Sequence, residues 1–120
     1  MKVMGECHRR AYRLIHNIHE ELGYAEPKVG LAMHMRAFVP YNAKNLWHRI
    51  ACRISECNFQ TKLNKTYMLG PEGPYADFLG LNYYARTATS GLGDGTLPNV
   101  PVNDLGWEIY PAGIVECCQK

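Results

Sequence analysis

The chain has no stretch near the roughly 20 consecutive apolar residues that a membrane-spanning helix needs, so no place in a membrane is expected. Its first residues, Met1-Lys2-Val3-Met4-Gly5-Glu6, carry no apolar signal core. That argues against export and for a cytoplasmic location. Charge of one sign is also scarce. The net charge is +2 over 120 residues, and Lys and Arg are scattered with no run longer than Arg9-Arg10, which excludes the basic footprint of a nucleic-acid binder. The five cysteines, Cys7, Cys52, Cys57, Cys117 and Cys118, include no C-x-x-C pair. An odd number without that spacing argues against a disulfide framework and against a zinc site. Adjacent Cys117 and Cys118 have poor geometry for a mutual bridge, so reduced thiols are expected. What is present is the composition of a globular domain, 47% apolar and 20% charged, at a length that suits one ordinary domain.

The apolar periodicity changes along the chain. Ala11, Leu14, Ile15, Ile18 and Leu22 fall at i, i+3, i+4, i+7 and i+11, one stripe of a helix, with Gly23 as its stop. After Pro27, the run Lys28-Val29-Gly30-Leu31-Ala32-Met33 reads as a short buried strand. His34 to Asn45 reads as a loop, with Asn42 or Asn45 capping a second helix whose stripe is Leu46, Trp47, Ile50, Ala51 and Ile54. A helical turn is expected around Leu63 to Met68, then a hard turn at Gly70-Pro71-Glu72-Gly73-Pro74. Asp77 to Tyr84 reads as a second strand and Ala85 to Asp104 as a long loop. Pro111 suits the first turn of a third helix with Ile114, Val115 and Cys118 on one side. Strands alternating with helices imply an α/β fold with a parallel sheet. Two strands leave both edges unpaired, so the pattern reads as an arc of a larger barrel.

Two strings carry the most information: Asp77-Phe78-Leu79-Gly80-Leu81-Asn82-Tyr83-Tyr84, and Asn103-Asp104-Leu105-Gly106-Trp107-Glu108-Ile109-Tyr110-Pro111-Ala112-Gly113. Together they resemble the sixth strand and following segment of family 1 glycoside hydrolases, the β-glucosidase and 6-phospho-β-glucosidase family. His8 to Ile15 is similar to that family's helix after strand four, and Lys28-Val29-Gly30-Leu31 to its fifth strand. The resemblance implies a partial (β/α)8 barrel, from about helix 4 to helix 6. It also implies a parent enzyme that hydrolyses β-glycosidic bonds with retention, without metal or cofactor. Reactive groups of such barrels sit at the C-terminal strand ends. Met33-His34 and Asn82-Tyr83-Tyr84 would then face the sugar, and the loop from Ala85 would overhang the aglycone side. By the same resemblance Asn82 lines the site of the cleaved sugar, Tyr84 hydrogen-bonds the nucleophilic carboxylate, and His34 reaches sugar hydroxyls or packs.

Retaining glycosidases need two carboxyl groups about 5–5.5 Å apart. In the family these come from Thr-x-Asn-Glu-Pro, ending strand four, and Thr-Glu-Asn-Gly, ending strand seven. Neither string occurs here, and the chain is expected to fall between them. The remaining acids make no substitute pair. Glu6, Glu20, Glu21 and Glu56 fall on helices, Glu26, Glu72 and Asp77 at strand starts, Asp94, Asp104 and Glu108 around the upper loop, and Glu116 on the last helix. The chain alone is therefore expected to be inactive. The alternatives are a non-catalytic module that binds sugar or a partner, and an arc completed by separate chains carrying the missing barrel halves. Phe59-Gln60 departs from the family's Phe-x-Asp-Pro segment. Free and 6-phosphorylated sugars both stay open, because the segment that selects between them follows strand eight.

Other features have plainer readings. His16 and His19, at i and i+3 on the first helix, suit a solvated face better than a metal pair lacking further ligands. Gly91-Leu92-Gly93-Asp94-Gly95 opens no helix and so reads as a flexible overhang rather than a phosphate loop. Trp47 is expected in the core and Trp107 in a packed turn.

Overall fold

The computed structural model describes residues 2–62, 66, 68–70 and 73–119. Helix α1 spans Lys2–Glu21, strand β1 Gly30–Pro40 and helix α2 Leu46–Glu56, which continues into a π-helical turn at Cys57–Thr61. Strands β2 (Leu69–Gly70), β3 (Gly73–Pro74), β4 (Phe78–Thr89) and β5 (Asp94–Gly95) follow, then helix α3 (Gly113–Cys118). The expected helical turn around Leu63 to Met68 falls partly outside the described residues, as do Pro71 and Glu72 of the expected hard turn. β2 and β3 pair antiparallel, Leu69 with Pro74 and Gly70 with Gly73. The architecture is mixed α/β. Among the described residues there is a three-stranded sheet, ordered β1-β4-β5, and the small β2-β3 pair, without closure into a barrel.

The chain divides into two units, Met1–Met33 with Thr61–Gly80, and His34–Gln60 with Leu81–Lys120. In the first unit, Asp77 N donates to Val29 O at 2.8 Å. In the second, Tyr41 N donates to Thr89 O at 3.0 Å. Within that unit the His34 ring of β1 also lies 5.1 Å from the Tyr84 ring of β4, so the partners advance together and the two strands run parallel there. β5 turns back on β4, with Ala88 opposite Gly95 and Thr89 opposite Asp94. The Gly-rich segment is thus a hairpin turn, closed by Ser90 N donating to Gly93 O at 3.2 Å. Gly91 there has φ +88, and a Cβ on it would lie 2.8 Å from the Trp47 indole nitrogen, so a side chain is excluded twice over.

Both long strands outrun their sequence-based limits. β1 continues to Pro40 where a loop was expected, and β4 to Thr89. The signal lay in the alternation His34-Met35-Arg36-Ala37, because Met33, Met35 and Ala37 are buried while His34 is open. A period of two is that of a half-buried strand. His34 and Tyr84 therefore sit in mid-strand, not at strand ends.

The first unit packs in an unexpected sense. The inward face of α1 is its polar one. His8 Nε2 lies 2.6 Å from Tyr75 O, the Tyr12 hydroxyl donates to Asp77 at 2.7 Å, and His16 meets the same carboxylate at 3.2 Å. Asp77 also accepts from Val29 N at 2.7 Å, and that bond first, then Tyr12, holds its carboxyl below the usual range. His19 faces Ala25 O at 2.8 Å. The two histidines are thus tethers rather than a solvated face. Leu14, Ile15, Ile18 and Leu22, the expected core stripe, are exposed.

In the second unit, Asn45 caps α2 by accepting from Trp47 N and His48 N, but only Ala51 and Cys52 of that helix are buried. Trp47 is 61% exposed, which corrects its expected core position. On α3 the buried residues are Gly113 and Cys117, while Ile114 and Val115 are exposed. No large side chain among the described residues is fully buried. Each exposed Leu, Ile or Val forgoes about 1.5–3 kcal/mol that full burial would contribute. Among the described residues no cysteine forms a disulfide. Among the described residues no helix is long and apolar enough to cross a membrane.

Candidate functional site

The second unit holds a cleft of about 240 Å³ on the open face of the sheet. Alternation along two parallel strands brings His34 and Arg36 of β1 beside Tyr84 and Arg86 of β4. Thr96 and Trp107 complete its walls. The rings form a row of edge-to-face neighbours: Phe59 to His34 at 5.3 Å, His34 to Tyr84 at 5.1 Å, and Tyr84 to Trp107 at 6.1 Å. The Arg36 guanidinium lies over Phe59, 4.9 Å from the ring centre, and its Nε donates to His34 Nε2 at 3.3 Å. Burial, and then the Arg36 charge, push the His34 pKa down, so the imidazole is the neutral acceptor near neutral pH.

Trp107 is placed by a side-chain-capped turn. The Asn103 carboxamide oxygen accepts from Leu105 N and Trp107 N, both at 3.0 Å. Gly106 takes φ +75, a conformation glycine adopts without steric cost. The next residue, Glu108, is 3% exposed and binds Arg86 through two bonds, Nε at 3.0 Å and Nη2 at 2.5 Å. That bonding raises the Arg86 pKa. The Arg86 guanidinium also lies 3.9 Å from the centre of the Tyr110 ring. Backbone bridges join Glu108 to Arg86 and to Val102. On the opposite side of β4, the Tyr83 hydroxyl donates to Tyr110 O at 2.6 Å, and burial pushes its pKa up to about 12.

Of the three site residues expected from sequence, the structure brings Tyr84 and His34 together in this cleft. Asn82 is exposed one alternation step before Tyr84 and does not line it. Local patterning does not single out Arg36, because the polarity of its stretch suits a loop. It also misses Arg86 and the buried Glu108, whose pairing spans 22 residues, a separation that local patterning cannot see. Trp107, expected to be packed, is 45% exposed in the cleft wall.

No protein-family model matches the chain. It is 26% identical, over 140 aligned positions, to a β-galactosidase from Sulfolobus acidocaldarius. That supports a glycoside-hydrolase-like relationship. The alignment covers 96% of this chain but 27% of the relative, so the chain spans little more than a quarter of that enzyme's length. A polar cleft walled by rings offers flat apolar surface together with hydroxyl and guanidinium donors, the combination that a pyranose ring with its hydroxyl rim requires. A paired acid and nucleophile are not found in it: Asp94 is the carboxylate lining the cleft, and Glu108 is consumed by Arg86.

Proposed function

We propose that this chain is a central arc of a family 1 glycoside hydrolase, a partial (β/α)8 barrel running from about helix 4 to helix 6. The parent activity is retaining hydrolysis of β-glycosidic bonds. The observation that carries this reading is the gathering of His34, Tyr84 and Trp107 into one cleft on a chain aligned along 96% of its length with a β-galactosidase. In this reading Tyr84 serves the sugar site, aiming a nucleophilic carboxylate supplied from elsewhere in the barrel, and Asn82, one alternation step along β4 and outside the cleft, reaches the sugar from the adjoining part of the same sheet face. His34 and Trp107 form the ring wall. The apolar faces of α1 and α2, left open by Leu14, Ile18, Trp47 and Ile54, take the missing barrel halves.

Among the described residues the cleft holds no pair of carboxylates available as acid and nucleophile, so in this reading both steps of a retaining mechanism are lost together. Purified chain should release no more 4-nitrophenol from 4-nitrophenyl β-D-glucoside, its 6-phosphate or the β-D-galactoside than buffer does. Co-refolding with chains that supply the missing strands should restore hydrolysis with retained anomeric configuration. Hydrolysis by the pure chain, or a complemented assembly that inverts configuration, would refute the reading. The cleft lies within one unit, which favours a second reading: a non-catalytic module that binds sugar. Sugar binding by a chain with a cooperative melt, without rescue by complementation, would select it.

A further inference from the structure

Helix α1 is two-sided. Its inward face is taken up by the bonds of His8, Tyr12, His16 and His19 to Tyr75 O, Asp77 and Ala25 O. Its outward face carries Met4, Cys7, Ala11, Leu14 and Ile18, all exposed. Their spacing alternates between three and four residues, the a and d positions of a heptad. That is the seam along which one helix packs on another of the same period. The strip from Met4 to Leu22 runs about 27 Å, at the helical rise per residue. Area shows how large a partner the surface can take. The chain exposes 8232 Å², whereas a folded monomer of its 13.6 kDa typically exposes about 6,600 Å². The excess, roughly 1,600 Å², is more than the ~800 Å² per partner that a standard interface buries. Side-chain size along the seam then decides which partner fits. Cys7 and Ala11 are small, and Leu14 and Ile18 are large. A second α1 turned end for end sets Ala11 against Leu14 and Cys7 against Ile18, so each of these layers pairs small with large. A parallel copy would set like against like, with gaps at Cys7 and Ala11 and crowding at Leu14 and Ile18.

We infer that the outward face of α1 is a self-association surface, on which two copies of this chain pair antiparallel. The contact is isologous: each copy offers the same seam, and the two-fold axis passes between the Ala11 and Leu14 layers. This goes beyond the reading of the chain as a barrel arc. In the chain on its own a second copy takes the α1 face, and a chain supplying the missing barrel halves competes with it for that face.

The test uses the full 120-residue chain under reducing conditions, followed by sedimentation equilibrium across concentration and by far-ultraviolet circular dichroism. At high concentration the mass should reach twice 13.6 kDa. Leu14→Ala opens a gap in two layers of each dimer and should weaken association by about a hundredfold or more. Ala11→Leu crowds the same two layers and should weaken it as well. The double exchange, Ala11→Leu with Leu14→Ala, again sets small against large and should return association to within about tenfold of the unsubstituted chain. Ala and Leu have similar helix propensities, and both positions are exposed, so the helix itself should persist. If a variant loses its helix signal, cross-linking decides. Under mild oxidation Ile18→Cys should give an intermolecular disulfide joining positions 7 and 18, found by peptide mapping. Cys7 should not bridge to Cys7 of the second copy, because antiparallel pairing sets the two about 16 Å apart along the axis. A chain that stays monomeric, a dimer indifferent to the single changes, a double exchange that restores nothing, tighter association of Ala11→Leu, or a bridge between the two Cys7 residues overturns the inference. Each of these leaves the arc reading standing, because that reading fails on hydrolysis by the pure chain or on inversion by the complemented assembly.

Discussion

Replacing Arg86 with Met should be among the most damaging single changes in the second unit. Glu108 is 3% exposed and its carboxylate is satisfied by both Arg86 bonds. Removing the guanidinium leaves a buried charge without its partner, a change that typically costs about 3–5 kcal/mol. The reverse change, Glu108→Gln, should cost less, about 2–3 kcal/mol, the loss of hydrogen bonds to a charged group. The stranded Arg86 side chain is already 20% exposed and keeps its place over Tyr110. The double substitution should be milder than the sum, with a coupling energy of about 1–3 kcal/mol. Urea unfolding followed by tryptophan fluorescence suits the test, because Trp107 adjoins Glu108 and reports on this segment; a Trp47→Phe background isolates its signal. Roughly 4 °C per kcal/mol at this chain length would put the Tm loss for Arg86→Met between roughly 10 and 20 °C. A cost below about 1 kcal/mol, or additivity within about 0.5 kcal/mol, would refute the claim that this pair clamps the Trp107 segment to β4.

Two further predictions concern pH. Tyr83 has its pKa pushed up to about 12, chiefly by burial, above its ordinary value near 10. The unfolded chain therefore loses this proton first, and the stabilisation, complete below about pH 10, should drain away as pH rises towards 12. Tyr83→Phe should remove that alkaline decline and cost about 1 kcal/mol at neutral pH through the lost bond to Tyr110, both measurable by denaturant melts across pH. Asp77 is shifted the other way, held down first by the Val29 N–H and then by Tyr12. Its contribution is present above the unfolded carboxylate value of about 3.9 and is lost as pH falls through the lower folded value. Asp77→Asn should flatten the acid limb of the helix signal in circular dichroism, and an unchanged limb would show that the tether does not hold α1.

Local features were legible wherever a side chain acts on its own neighbourhood. The stop of α1 at Gly23 with φ +66, the Asn45 cap of α2 and the Gly106-Trp107 turn all follow from backbone preferences within a few residues, whereas the Gly-rich segment, expected as a flexible overhang, closes a hairpin. The resemblance of the Asp77–Tyr84 and Asn103–Gly113 strings pointed to glycoside hydrolases, and the distant β-galactosidase supports that coarser relationship. The lengths of the long strands were misjudged because His34 and Arg36 look like loop polarity. They become strand residues only once a parallel neighbour supplies hydrogen bonds and one face stays open.

The sequence by itself determined the alternation of helix and strand, the capping and turn residues, the lack of both family glutamate strings, and the family of folds worth considering. Tertiary structure alone decided which faces turn inward. The large apolar residues of the α1 and α2 stripes lie exposed while Tyr12, His16 and Asp77 join in the first unit, since a hydrophobic stripe is buried only where a partner surface exists to cover it. It also decided that Glu108 is spent on Arg86, and that His34, Arg36, Tyr84 and Trp107 share one cleft. Those pairings join residues far apart in the chain, and their energy depends on distance and burial, which no local pattern encodes.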